Sequence, residues 1–281
     1  MSVKIIVDST ADMRPEVAEK VGIVPLTVHF GDQEYISGVN INPKKFYEML
    51  VESDELPTTS QPTPVAFEEA FEKAVEEGHE VVCLTCSGKL SGTCQSANIA
   101  AAEFPGKVHV VDSNTIAIAL GILVEYAVDL AEKGLSAEEI VLKLLQKREK
   151  VKLLALVDTL EYLKKGGRIS STAALAGSLL NIKPVITLDE GVIKVVGKAR
   201  GSRQGNNLLV QEIQKAGGVD FGKPVMLGYT GLSDALLQKY VQDSAALWEG
   251  HKETLPVSIV GSVVGTHAGP GAVAVAFFAA E

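Results

Sequence analysis

Short apolar runs alternate with segments of helical spacing along the whole chain. Residues 3–7 read as a strand, and 14–21 as a short helix with Pro15 near its first turn. Residues 23–30 and 33–37 read as strands around the Gly31-Asp32 turn, and 43–53 as a helix. A polar break, Pro57-Thr58-Thr59-Ser60-Gln61-Pro62-Thr63-Pro64, comes next. The helix after it, over 65–77, has Thr63 as N-cap, Pro64 at its first position, and Phe67, Ala70, Phe71, Ala74 and Val75 on one face. A strand over 81–85, a helix over 95–103 and a strand over 108–112 complete a β-α-β unit. Helices over 115–133 and 137–150 follow, the second opened by a capping box of Ser136 and Glu139. This order predicts a mostly parallel sheet covered by helices.

After residue 150 the pattern changes. Residues 153–157 read as a strand, 158–165 as a short helix ending at Gly166-Gly167, and 171–180 as a helix. Strands over 185–188 and 192–196 flank Asp189-Glu190-Gly191 as a hairpin. A helix over 204–216, a strand over 224–229, a helix over 234–248 and strands over 257–260 and 271–278 complete the chain. The mixture of hairpin and crossover patterns predicts a second α/β unit with a mixed sheet. The expected architecture is α/β with two domains, 1–150 and 151–281, and no tandem repeat.

Composition narrows the function classes. The 281 residues are 46% hydrophobic and 22% charged, enough for a sizeable core, and only 5% aromatic. A net charge of -9 and a pI of about 5.2 leave no basic footprint for nucleic acid. The longest apolar runs, 116–124 and 271–280, are too short to span a bilayer, so no stable membrane insertion is expected. The chain opens directly on a strand pattern rather than a signal-peptide pattern, and the expectation is a soluble, cytoplasmic protein. Three cysteines, Cys83, Cys86 and Cys94, fit a reducing compartment. Cys83 and Cys86 have a C-x-x-C spacing used in thiol redox and metal sites. Residues three apart on a strand face opposite sides, and no second C-x-x-C accompanies this one. Buried small hydrophobes are the expected role, with no metal site and no cofactor.

The richest candidate chemistry is Ser87-Gly88-Lys89-Leu90-Ser91-Gly92-Thr93, between the apolar run 81–84 and a helical stretch. A buried strand, a glycine- and hydroxyl-rich turn and a helix start make an anion site. Free N–H groups and the positive end of the helix dipole face the ligand there. The spacing is neither that of a P-loop nor that of a nucleophile elbow, which suits holding a carboxylate or phosphate. Thr59 and Ser60 are adjacent hydroxyls bracketed by prolines, read either as solvated or as a pre-ordered site. His267 lies among Gly265, Gly269 and Gly271, which allow close approach of backbone or ligand. Asp8-Ser9-Thr10-Ala11-Asp12 ends the first strand, where it lines a ligand crevice or caps the next helix. Cations cluster around Gly166-Gly167-Arg168 and Gly197-Lys198-Ala199-Arg200. Arg168 suits a reach into a site or a protruding contact for an acidic or phosphate-bearing partner.

In register along nearly the full length stand Asp8-Ser9-Thr10-Ala11-Asp12, Thr59-Ser60-Gln61-Pro62, Leu90-Ser91-Gly92-Thr93, Asp112-Ser113, Gly167-Arg168-Ile169, Lys183-Pro184 and His267 ahead of its glycines. Together they resemble the DegV family of lipid-binding proteins, which includes the fatty-acid-binding subunit of bacterial fatty acid kinase. The resemblance implies a two-domain α/β protein with one long-chain fatty acid between the domains. It implies that Thr59, with Ser60, and Ser91 hold the carboxylate, with backbone help at Gly92 and Thr93 and with His267 close by. It assigns Arg168 and Arg200 to docking of the kinase, and no catalytic residue to this chain. The implied role is a carrier that presents the carboxylate to a separate ATP-dependent kinase; the resulting acyl phosphate feeds phospholipid synthesis. Two other classes stay open: a lipid-sensing regulator without a kinase, and an enzyme of acyl or phosphoryl transfer with Ser91 or Thr59 as nucleophile and His267 as base.

Overall fold

The computed structural model describes residues 2–170 and 182–280; the helix expected over 171–180 lies outside the described residues. Strand β1 (Val3–Asp8) is flanked by β2 (Gly22–Val24) and β6 (Glu80–Thr85), and β7 (Val108–Asp112) adds the edge of a parallel sheet ordered β2-β1-β6-β7. Alternation of side chains along each strand divides its residues between two faces. Ile6, Val81 and Cys83 pack under α3 (Pro64–Glu76) and α4 (Thr93–Ala101) through Phe67, Phe71, Ala97 and Ala100. Ile5, Val7, Val82 and Leu84 face α5 (Ala117–Glu132) and α6 (Ala137–Lys147). The caps are as expected: the Thr63 hydroxyl accepts from Ala66 N with Pro64 at the first position, and Ser136 and Glu139 form a capping box.

The second sheet comprises β8 (Val151–Leu156), β9 (Ile182–Asp189), β10 (Val192–Arg200), β11 (Met226–Tyr229), β12 (Val257–Ile259) and β13 (Val273–Phe278), in the order β10-β9-β8-β13-β11-β12. It is mixed: β11 and β12 run parallel, and the other pairs are antiparallel. One face, with Leu153, Ala155, Ala274 and Ala276, turns to α5. The other, with Leu154, Leu156, Val273 and Val275, is covered by α8 (Gly201–Lys215) and α9 (Ala235–Asp243). The layers therefore run helix, sheet, helix, sheet, helix. The middle helix α5 packs on β1 and β6 on one side and on β8, β11 and β13 on the other. It is buried continuously over 117–124, as a helix apolar on all sides must be. The sheets divide near residue 150, while the core around α5 draws on both.

Two expectations are corrected. The run 23–30 is not one strand. Pro25 interrupts it: 22–24 joins the parallel sheet, and β3 (Thr27–Phe30) leaves for a small antiparallel sheet with β4 (Gln33–Ile36) and β5 (Thr58–Ser60), ordered β4-β3-β5. A proline inside a strand removes a ladder donor. The polar break at 57–64 is likewise not simply loop, because it contains β5. The small sheet packs on α2 (Pro43–Glu52) and α10 (Ser262–Ala268) through Val28, Phe46, Tyr47, Leu50 and Val263. Two short helices, α1 (Pro15–Ala18) and α7 (Glu161–Lys165), complete the described elements that bear on the site. Among the described residues no helix is long and apolar enough to cross a membrane.

Gly121, in the second turn of α5, is where the helix meets the turn after β1, because a Cβ there would run into the Asp12 carbonyl group. Helix propensity alone would favour Gly121→Ala by about 1 kcal/mol. The collision is with backbone rather than with a flexible side-chain end, and overpacking costs about 1–3 kcal/mol. Gly121→Ala is therefore expected to lower unfolding stability in denaturant titration; a gain in stability would mean that α5 is not held against this turn.

Candidate functional site

The first turn of α5, the α5-facing sides of β8, β9 and β10, and α10 enclose a cavity whose empty space, mouth included, is about 870 Å³. Its walls are apolar, with Leu153 and Ala155 from β8, Ile186 and Leu188 from β9, Ile193 from β10 and Val263 from α10. Thr59, Ser91, Arg168 and His267 line the same cavity; Thr59 is hydrogen-bonded to His267, and Arg168 to the carbonyl of Leu90, the residue before Ser91. Among the described residues, Arg168 and His267 are the only basic residues of the lining, and no Asp or Glu lines it.

Strand geometry selects Thr59. On β5, Thr59 pairs with Val28, and its hydroxyl meets His267 Nε2 at 2.9 Å. Its neighbour Ser60 points the other way, where its hydroxyl meets His29 Nε2 at 2.8 Å on the exposed side. Ser60 therefore does not line the cavity and partners His29 on the surface, since successive residues of a strand face opposite sides. Gln61 then anchors the segment: its Nε2 donates to Ser96 Oγ of α4, and its amide occupies the space that a Cβ on Gly92 would need.

The loop over 87–93 is fastened from both ends. The buried Asp8 carboxylate accepts from Cys86 N at 2.6 Å and from Thr10 N and Thr10 Oγ1. Burial pushes this carboxyl up, against the pull of those donors. Asp112 accepts from Gly88 N and Asn114 N. Ser87, fully buried, donates to Gly191 O at the tip of the β9–β10 hairpin. Ser91 reaches the cavity, and its hydroxyl is 2.8 Å from Thr93 Oγ1. Thr93 is buried behind it, and Gly92 packs against Gln61. Neither Gly92 nor Thr93 lines the cavity; both stand behind Ser91 and support it.

His267 arrives on a helix that the glycine-rich sequence disguised. Gly265 lets α10 lie against α2, where a Cβ would strike Tyr47 and Phe46. Gly269 (φ 69°) ends the helix against the Tyr162 ring. Gly166, after α7, leaves room for His267 Nδ1. That nitrogen is buried and has no hydrogen-bond partner among the described residues. Burial lowers the imidazole pKa from 6.5 to about 4, and the Arg168 guanidinium adds to the effect. Arg168 is held inward: its Nε donates to Leu90 O at 3.2 Å and its Nη1 to Gly166 O. It lines the cavity and also a polar groove beside it. Arg200 is exposed at the end of β10, and its backbone N–H donates to Gln204 Oε1. Cys83 and Cys86 are buried on opposite sides of the parallel sheet, Cys86 against the cavity, and the described residues contain no cluster able to hold a metal ion.

Sequence reasoning missed Gln61, whose role needs α4 in place, and Ala117. Ala117 lines the cavity with φ 58°, a left-handed conformation that a non-glycine residue seldom adopts. In the ligand-free protein, His267 is expected to titrate by NMR with a midpoint of about 4. Arg168→Ala should raise that midpoint without bringing it to 6.5, because burial is the larger cause. The unfolded ring binds its proton near 6.5 and the folded one near 4, so this group costs stability as pH falls through that window. A midpoint of 6.5 would mean that water reaches the ring.

The sequence matches the model of the DegV family, described as uncharacterised proteins, over residues 2–280. A DegV domain-containing protein of Deinococcus radiodurans is 37% identical over 280 residues, covering 98% of each chain. A solved structure on fatty acid binding of a DegV family protein from Thermus thermophilus is similar with a TM-score of 0.86 at 34% identity, covering 99% of this chain and 100% of that one. The Streptococcus pneumoniae fatty acid kinase (Fak) B3 protein, loaded with linoleic acid, is similar with a TM-score of 0.86 at 27% identity, covering 100% of both chains. The chain belongs to the DegV family.

Proposed function

We propose that this protein binds one long-chain fatty acid, with the tail in the apolar cavity and the carboxylate at Thr59, Ser91 and Arg168, and presents that carboxylate to a partner ATP-dependent kinase for acyl phosphate formation. The observation that carries the proposal is the cavity itself: an apolar space whose lining combines the hydroxyls of Thr10, Thr59, Ser91 and Thr230, a neutral imidazole and one guanidinium, without an acid among the described residues. Fatty acid binding by the Thermus thermophilus relative and linoleic acid in the Streptococcus pneumoniae protein support it. About 15 buried methylenes at roughly 0.8 kcal/mol each supply about 12 kcal/mol before ordering costs. That is ample to hold the tail.

The head group needs donors, and the end carrying Thr59 supplies them. With Nε2 of His267 protonated, Thr59 accepts from the ring and its own O–H is free for the carboxylate. Ser91 adds a second hydroxyl, and Arg168 the countercharge. The unpartnered Nδ1 and the neighbouring guanidinium support a holding role over a general base. A base of the hydrolase type is oriented by an acid and has a pKa near working pH.

Presentation to a kinase is supported by a polar groove that shares Thr59, Arg168 and His267 with the cavity and adds Lys165 and Tyr162. In this proposal residues 1–150 and 151–281 are the two halves that clasp the ligand, and Arg200 belongs to the docking surface. The proposed setting is the cytoplasm, and the proposed destination of the acyl group is phospholipid synthesis.

Replacing Thr59 and Ser91 together by Ala removes two hydrogen bonds to a charged group, worth about 1.5–3 kcal/mol each. Calorimetry should show at least a tenfold weaker affinity for a fatty acid and little change for its methyl ester. Equal losses for both ligands would contradict a carboxylate grip. Arg168→Ala is expected to lower the fatty acid retained through purification. Arg200→Ala should leave retention intact but slow phosphorylation of the bound acid by the kinase. Loss of retention in Arg200→Ala would remove Arg200 from the docking surface.

A further inference from the structure

Asp12 is a buried carboxyl that the proposed grip does not touch, and it stands at a three-way joint. Its backbone N–H donates to Ala117 O at the start of α5, and its carbonyl abuts Gly121 in the same helix. Its carboxyl oxygen Oδ1 accepts from Gly261 N at 2.7 Å, across 249 residues of sequence. Gly261 is the residue from which α10 starts, and α10 carries Val263, Val264, His267 and Ala268 into the cavity wall. From the opposite side the small sheet and α2 hold the same helix start. Ser262 Oγ donates to Ser37 Oγ at 3.0 Å, and Tyr47 donates to Val260 O at 2.9 Å. The other carboxyl oxygen, Oδ2, is buried without a partner.

We infer that Asp12 is a positioning residue for the head-group grip: its carboxyl pins the start of α10 to the end of β1 and thereby fixes His267 against Thr59. This rests on reading the cavity as a fatty acid site. α10 has only seven residues and Gly265 in its middle, so its own hydrogen bonds supply little rigidity. Its direction is set by what holds its ends. At the far end Gly269 meets Tyr162; at the near end the link to the parallel sheet is Asp12.

The pin also carries a proton near neutrality. Burial pushes the Asp12 carboxyl up from 3.8 to about 7, against the pull of the Gly261 N–H. Tyr47 of α2 is the titratable group that faces it, and that phenol is held neutral by burial. The small cavity beside Asp12, lined by Ser9, Ser37, Gly261 and Ser262 among others, contains no other charged side chain. On α5 the residues that meet it are Ala117 and Gly121. Arg14, two residues on, is engaged by Glu16 and Glu125. The unfolded carboxyl loses its proton near 3.8 and the folded one near 7, so this group's contribution to stability is lost as pH rises through that window.

The test compares Asp12→Ala, which removes the acceptor, with Asp12→Asn, whose amide oxygen can take the same bond. Two readouts are followed: the affinity ratio of palmitic acid to methyl palmitate, and the His267 titration midpoint in ligand-free protein. Asp12→Ala should lower the ratio about tenfold, the loss of one hydrogen bond to a charged group, and move the His267 midpoint up from about 4 toward 6.5. Asp12→Asn should keep the ratio within about twofold and leave the midpoint in place. On a His267→Ala background, Asp12→Ala should add no further loss, as expected for residues acting through one another. Additive losses, an unmoved midpoint in Asp12→Ala, or an Asp12→Asn variant that behaves like His267→Ala would each overturn the assignment. If Asp12→Ala does not fold, the Asp12→Asn readouts still decide. The ligand-free titration is independent of the ligand reading; if the wild-type protein binds neither probe while the titration behaves as expected, the cavity reading fails and the pin stands.

Discussion

The stretch 117–124 of α5 is apolar on every side and has to be surrounded, and it lies between two sheets. The parallel sheet meets it through β1 and β6, and the mixed sheet through β8, β11 and β13. Much else follows from that burial. The two sheets must lie face to face, their loop ends must approach one another, and side chains from residues as distant as Thr10 and Ala274 come to line one cavity beside the first turn of the helix. Gly121 lets the turn after β1 sit directly on α5, and through Asp12 that turn also fixes the start of α10. The same packing that supplies the core therefore supplies the frame of the site.

Within that frame the site end of the cavity is electrostatically simple. Acidic residues make up much of the chain's charge, with 35 Asp and Glu against 26 Lys and Arg, yet none lines the cavity. Asp8, Asp12 and Asp112 stand in segments next to it, and each is held by backbone N–H groups of the surrounding turns. They act as fasteners. What remains facing the cavity is a set of donors with one guanidinium, and burial keeps the imidazole uncharged. Such a set favours an anion that brings its own charge and does not compete with an internal acid.

Much of this was legible in the sequence. The cap residues Thr63 and Ser136, the hairpin around Glu190-Gly191 and the alternation of strands with helices gave the layer order, because each rests on local chemistry. The candidate loop at 87–93 was legible for the same reason, as a strand, a turn and a helix start. What escaped was set by tertiary packing. Pro25 looked like one residue in a long strand, but it marks the point where the chain changes sheets. Ser60 and Thr59 are indistinguishable by composition, and only the pairing of β5 with β3 tells which hydroxyl turns inward. The glycines around His267 read as allowing close approach of backbone or ligand; what they permit is a short helix that packs against Tyr47 at one point and Tyr162 at another. The resemblance implies a docking role for Arg168; where its guanidinium lies is set by two carbonyls, Leu90 O and Gly166 O, which hold it between the cavity and the polar groove.

The central claim is that the cavity holds a fatty acid by its tail while the end carrying Thr59, Ser91 and Arg168 grips an intact carboxylate. Native mass spectrometry of the purified protein, followed by denaturation and analysis of what is released, tests this directly. The account predicts one long-chain fatty acid per chain, released unmodified on unfolding. Protein that purifies empty and takes up no added fatty acid, or that turns over activated acyl esters, would contradict it.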